Sequence, residues 1–275
     1  MSADHQSSID GRNRAFWDEL CGTGLATRLG ITEITPETIE RFDEAYMAQY
    51  PYLTRYLDKL PVENRKVLEI GLGFGTVGQI LAQNGARYHG ADIAAGPVAM
   101  MRDRLRWIGR PDDAAVAQGS ALELPWPDET FDVVVSIGCL HHTGDLPQAV
   151  REVHRVLVPG GVAFVMLYNA RSFRQLVVVR RERVKAAWAR RRADEQVRAI
   201  YDANLAGEAA PHTDFVSRRD VRELFGDFSD VSVQSQNFDD LTPTFAGFEF
   251  EIERERLLGN LGRVLGLDLY IHARK

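Results

Sequence analysis

A chain of 275 residues with 45% hydrophobic and 26% charged side chains can bury a sizeable core, which excludes a disordered or fibrous protein. Its net charge of −6 and pI near 5.7 argue against a dedicated nucleic-acid binder, and two cysteines, Cys21 and Cys139, cannot build a disulfide framework. No apolar run approaches the ~20 residues of a membrane helix, and the start MSADHQSSIDGRNR lacks the apolar core of a secretion signal. The expectation is a soluble, cytoplasmic protein with no nucleic-acid partner and no integral membrane association.

Residues 1–13 read as a disordered leader. From Arg14 to Leu60 the spacing of Phe16, Trp17, Leu20, Phe42, Tyr46, Tyr50, Tyr56 and Leu57 predicts a helical cap, broken at Cys21–Gly24 and at Pro51. After Pro61, short apolar runs alternate with amphipathic segments, the pattern of βαβ units in a parallel sheet. The predicted strands are Lys66–Ile70, Tyr88–Ile93, Ala114–Ala117, Phe131–Ile137 and Val162–Tyr168. The predicted helices between them are Thr76–Asn84, Pro97–Ile108 and Leu146–Leu157, the last capped by Asp145 and stopped by Pro159-Gly160-Gly161. Residues 171–198 hold ten basic and three acidic side chains and read as one long helix within a substrate-side insertion at about 169–216. This basic helix can be a solvated face, a patch that steers an anionic acceptor, or a membrane-surface helix. Ser217 caps a further helix, and DVSVQSQNF and LDLYIHARK read as the closing strands.

VLEIGLGFGTVGQIL, residues 67–81, admits two ligands. Gly73, Gly75 and Gly78 fit the GxGxxG turn that holds a dinucleotide, whereas Glu69 with Gly71, Gly73 and Gly75 fits the E-x-GxGxG loop that holds S-adenosylmethionine (SAM). Asp92, at the end of the second strand, suits the ribose hydroxyls of either ligand. These residues establish an adenosine-containing ligand on a Rossmann-like sheet and leave the choice open.

The motifs that follow decide it. Glu69-Ile-Gly71-Leu-Gly73-Phe-Gly75, Asp92-Ile93, Gly119-Ser120-Ala121, Phe131-Asp132-Val133-Val134, Leu140-His141-His142 and Leu157-Val158-Pro159-Gly160-Gly161 occur in order. Over about residues 65–168 the sequence resembles the class I SAM-dependent methyltransferases, specifically the small-molecule branch related to the quinone and sterol methyltransferases. The resemblance implies an α/β, Rossmann-like, seven-stranded, mostly parallel sheet with an antiparallel last strand, making 61–275 the SAM-binding domain. It implies SAM as cofactor, with S-adenosylhomocysteine (SAH) as product and no metal. Ser120 departs from the pattern, since many relatives carry Asp there.

By the same resemblance Gly71, Gly73 and Gly75 make room for the methionine part, Glu69 orients its ammonium, and Asp92 holds the ribose. Ile93, Ser120 and Ala121 bound the adenine, and carbonyls near Ile137 and Gly138 face the sulfur. His142 is the candidate base, and Tyr168 is a second catalytic candidate, an aromatic face that would stabilise a transient cation where the acceptor is an alkene or aromatic carbon. Phe16, Trp17, Tyr46, Tyr50 and His141 are candidates for the acceptor pocket. The expected activity is methyl transfer to a carbon, oxygen or nitrogen of a small, lipophilic or aromatic metabolite. The alternative is a non-catalytic SAM- or nucleotide-binding subunit of the same fold. A homo-oligomer stays open.

Overall fold

Alternating apolar residues on short strands, separated by helices, give a sheet that must be covered on both faces. In the computed structural model, which describes residues 3–18, 24–110, 115–181, 183, 193–204, 206–240, 244–245, 248–249 and 252–275, that sheet has seven strands. They are β1 (Lys66–Ile70), β2 (Arg87–Asp92), β3 (Ala115–Gln118), β4 (Phe131–Ile137), β5 (Leu157–Tyr168), β6 (Asp230–Gln236) and β7 (Asp268–Arg274). Their spatial order is β3-β2-β1-β4-β5-β7-β6. The first five are parallel, and β7 lies antiparallel between β5 and β6.

The two-residue period of each strand divides the core into two layers. Val67, Val133 and Val135 point to one side and pack with Leu81 of helix α5 (Thr76–Gln83) and Met101 of α6 (Ala95–Trp107). Leu68 and Val134 point to the other, against Val150, Val153 and Val156 of α7 (Leu146–Val156). Here α5 and α6 follow β1 and β2, and α7 precedes β5. Asp145 caps α7 by accepting from Gln148 N at 3.1 Å. Strand order reverses between β1 and β4, which puts the ligand crevice at their carboxyl ends.

Two expectations change. Residues 3–13 of the predicted leader are instead part of helix α1 (Ala3–Asp18), followed by α2 (Gly24–Arg28), α3 (Pro36–Gln49) and α4 (Leu53–Leu57). Helix α1 is held by tertiary contacts: Ile9 and Phe16 are buried, Asn13 Nδ2 donates to His142 O at 2.7 Å, and Gln6 Nε2 donates to Thr143 O at 2.7 Å. Strand β5 also starts earlier than predicted. Leu157 pairs with Phe131 and Val162 with Val133, so the Pro-Gly-Gly turn is a bulge within the strand.

The predicted long basic helix lies partly outside the described residues. Its described start, Arg174–Val179, is a π-helical segment, and its end is α8 (Ala193–Tyr201). Ser217 caps α9 (Arg218–Leu224) through a reciprocal capping box with Asp220. Two short helices, α10 (Arg254–Leu257) and α11 (Asn260–Leu265), lead into β7. Among the described residues no helix is long and apolar enough to cross a membrane.

Candidate active site

A cleft of about 800 Å³ opens at the carboxyl ends of β1, β2, β4 and β5. Of the predicted cofactor residues, Glu69, Gly71, Gly73, Gly75 and Asp92 line it, as do Ile93, Ser120, Ala121, Ile137 and Gly138. The β1–α5 loop is bare backbone for a steric reason. Gly71 has φ +81°, and a Cβ there would overlap Cys139 Cβ and lie 2.6 Å from its Sγ. Gly75, which precedes α5, has φ +82°, and its Cβ would sit 2.6 Å from Arg104 Cδ.

The Asp92 carboxylate is fixed by backbone donors. Leu72 N donates to Oδ2 at 2.7 Å and Ala94 N to Oδ1 at 2.9 Å. Burial pushes its carboxyl up from the usual range, and these amides oppose the shift. Glu69 is fully enclosed. Burial raises its carboxyl to about 8, against a hydrogen bond donated by Tyr88 Oη. Ser120 Oγ already accepts from Leu122 N at 3.2 Å and retains its hydroxyl proton as a donor.

Arg104 is a functional residue of the scaffold that periodicity does not reveal. Its side chain is fully buried, with Nη1 and Nη2 both 2.8 Å from Asp43 of α3 and Nη1 3.0 Å from Gln79. Asp43 also accepts from Thr76 Oγ1 at 2.5 Å. The network bolts the N-terminal cap to the glycine-loop helix, and Phe42 stacks on Phe74 with ring centroids 3.9 Å apart.

The other half of the cleft is built from side chains on distant segments. Trp17, Tyr46, Tyr50, His142 and Tyr168 all line it. Phe16 and His141 do not, which corrects their placement in the acceptor pocket. Phe16 packs edge-on behind Trp17 at 4.7 Å. His141 is fully buried, its ring 4.1 Å from the Tyr168 ring and 4.3 Å from the His142 ring, and burial lowers its pKa well below the usual value. It supports the wall without forming it.

His142 presents a defined face. Its Nδ1 lies 2.7 Å from His212 O, while Nε2 is buried with no hydrogen-bond partner. Asp202, at the end of α8, stands opposite: Oδ2 is 3.6 Å from Nε2, and Tyr168 Oη donates to its two oxygens at 3.2 and 3.1 Å. Nothing in the residue pattern singles out Asp202, because it lies in the insertion. Arg174 and Asp239 form a bidentate pair at the rim, with the guanidinium 4.6 Å over the Tyr201 ring. Asp268, at the head of β7, is raised to about 7 by burial, with Asn237 donating to it at 2.9 Å. Among the described residues no cluster of three or more His, Cys, Asp or Glu could hold a metal ion.

Known proteins that resemble this chain are methyltransferases. Residues 68–165 match the family described as methyltransferase domain. A malonyl-[acyl-carrier protein] O-methyltransferase of Halorhodospira halophila is 29% identical over 182 residues, covering 64% of this chain and 58% of that protein. A ubiquinone biosynthesis O-methyltransferase of Pseudomonas aeruginosa is 32% identical, covering 43% of this chain and 51% of that one. The chain thus spans about half the length of the curated relatives it matches. Magnesium protoporphyrin IX methyltransferase from Synechocystis PCC 6803, solved with bound SAH, shares the fold with a TM-score of 0.57 at 11% identity, covering 97% of this chain and 99% of that one.

Proposed function

We propose that the protein, whose residues 68–165 match the methyltransferase-domain family, uses SAM to methylate a small, lipophilic or aromatic acceptor held between the cap and the insertion. The observation that carries the reading is the continuity of one cleft. It runs from the glycine loop and Asp92 to His142 and Tyr168 without an intervening wall.

The residues present fit SAM. Gly71 and Gly75 leave backbone where a Cβ could not stand, Asp92 offers two oriented oxygens to a ribose, and Glu69 is a buried carboxyl that a nearby ammonium would ionise. When bound, SAM supplies a methyl group on a positively charged sulfur. The chain's contribution is alignment and exclusion of water, which together lower the barrier by several kcal/mol, up to ~7–11 in ideal cases. Ile137 and Gly138 close one side of the cleft, and Tyr46 and Tyr50, with rings 4.9 Å apart, close another. The activities of the relatives, O-methylation of malonyl-[acyl-carrier protein] and an O-methylation in ubiquinone biosynthesis, favour such an acceptor over a polynucleotide.

Calorimetry tests the reading. SAH is expected to bind and NAD not to. Asp92→Ala should weaken SAH about ten- to hundredfold, the worth of one charge-assisted hydrogen bond of ~1.5–3 kcal/mol. Unchanged SAH affinity in that variant, or NAD binding alone, sinks the proposal. SAH binding without turnover over a broad acceptor panel would favour the non-catalytic subunit.

A further inference from the structure

We infer that the acceptor is an organic amine, held as its ammonium in a box made by the carboxylates of Asp268 and Asp202 and the rings of Tyr46, Tyr50, Tyr168 and Tyr201. This rests on the methyltransferase reading and deepens it by giving the acceptor a charge.

The box starts in the β5–β7 ladder. Tyr168 and Asp268 are direct partners there, so their side chains leave the sheet on the same face, and both line the cleft. Asp268 is 2% exposed. Among the described residues only Asn237 donates to its side chain, at 2.9 Å and to Oδ2 alone. Two guanidiniums act on the carboxyl, and each is engaged elsewhere. Arg174 forms the bidentate pair with Asp239, and Arg254 donates to Phe238 O at 3.1 Å and to Asn237 Oδ1 at 2.8 Å. A carboxylate taken out of water without a counter-charge is costly, so this one either stays protonated or receives a cation. Asp202 is in a similar position. Tyr168 Oη donates to it, and its basic neighbour at 3.6 Å is His142, a ring that burial keeps neutral near pH 7.

The walls select the kind of cation. Tyr46 and Tyr50 have ring centroids 4.9 Å apart, as have Tyr168 and Tyr201, and all four residues line the cleft. Asp268 acts on each of these phenols, which places it among them. Aromatic faces attract an ammonium through the ring quadrupole, and the attraction grows where water is excluded. A magnesium or calcium ion takes roughly six oxygen ligands or more, whereas no cluster of His, Cys, Asp or Glu among the described residues offers even three. An anionic acceptor would meet Asp268 and Asp202 with like charge, and a neutral one would leave both without a counter-charge. The box is also separate from the ammonium site beside Glu69. That site lies on β1, and the order β1-β4-β5-β7 puts Asp268 three strands away, about 14 Å at the usual strand spacing.

Calorimetry on the full chain loaded with SAH tests the charge, with three phenols of one shape as probes: tyramine, the neutral alcohol tyrosol and the anion 4-hydroxyphenylacetate. Tyramine is expected to bind at least about tenfold more tightly than tyrosol, with 4-hydroxyphenylacetate weakest. Asp268→Asn should bring tyramine down to the level of tyrosol in a protein that still binds SAH. Equal binding of tyramine and tyrosol by the parent, no binding of any of the three, or a tyramine preference that survives Asp268→Asn overturns the amine. Where Asp268→Asn does not fold, Tyr50→Leu takes its place. It should weaken tyramine by about fivefold and tyrosol less, and an equal loss of both overturns the box. A protein that ignores SAH fails the earlier reading instead.

Discussion

The two halves of the cleft are made by different means. The glycine half draws on the ends of adjacent parallel strands, and its polar atoms meet backbone: Asp92 is held by Leu72 N and Ala94 N. The histidine half gathers Trp17, Tyr50, His142, Tyr168 and Asp202 from segments far apart in the chain, and there side chains such as Tyr168 and Asp202 meet each other. The first half follows once the sheet forms. The second depends on every insertion being docked, and it is therefore the half free to change its ligand while the fold stays put.

The bolt between the two halves offers the harshest break. Asp43→Ala strands the Arg104 guanidinium, a fully buried charge. Losing one partner of such a pair costs ~3–5 kcal/mol, and the lower end applies because Asp43 itself is 22% exposed. Denaturant unfolding should show that loss, and Asp43→Ala with Arg104→Met should recover part of it. If Asp43→Ala melts like the parent, the cap is not tied through this pair.

A pH series sharpens the contrast from the glycine side. Glu69 is raised to about 8, far above an unfolded carboxyl, so its contribution to stability is whole below about 4.5 and disappears as pH climbs through 8. Asp268, raised to about 7, acts in the same direction on the other side. Thermal melts of the ligand-free protein should fall between pH 5 and 9, and Glu69→Gln should flatten the upper part of that slope. An ammonium placed beside Glu69 ionises it, so SAH binding near pH 7 should release protons, detectable as a buffer-dependent heat. A Glu69→Gln curve parallel to the parent's would remove Glu69 from the account.

The gentlest break is Asn13→Ala. One hydrogen bond to the His142 carbonyl is worth about 1 kcal/mol, and its loss should loosen the His142 loop while leaving SAH affinity alone. A drop in SAH affinity equal to that of Asp92→Ala would erase the distinction between the halves.

What the sequence discloses follows the same division. Apart from the early start of β5, the strands of the parallel half read correctly to within a residue or two because alternation is local, and Asp92 follows from its place at the end of β2. LDLYIHARK is correctly read as the antiparallel last strand. Helix α1 escapes because DHQSSIDGRNR carries almost no apolar stripe; Asn13 and Gln6 bind carbonyls more than a hundred residues away, and no periodicity records such a bond. Asp202 and Arg104 escape for a related reason: a carboxylate in an insertion and a basic residue on a helix are ordinary letters until folding buries them beside a partner.

The contact between Gly71 and Cys139 reaches further than the shape of one loop. Because the two residues touch, the turn after β1 and the turn after β4 share a single seam, and neither can swing without carrying the other. Position 139 is thereby a gauge of bulk: any side chain larger than a thiol would shove the nucleotide loop outward and register at the far end of the groove, beside the histidine three residues on.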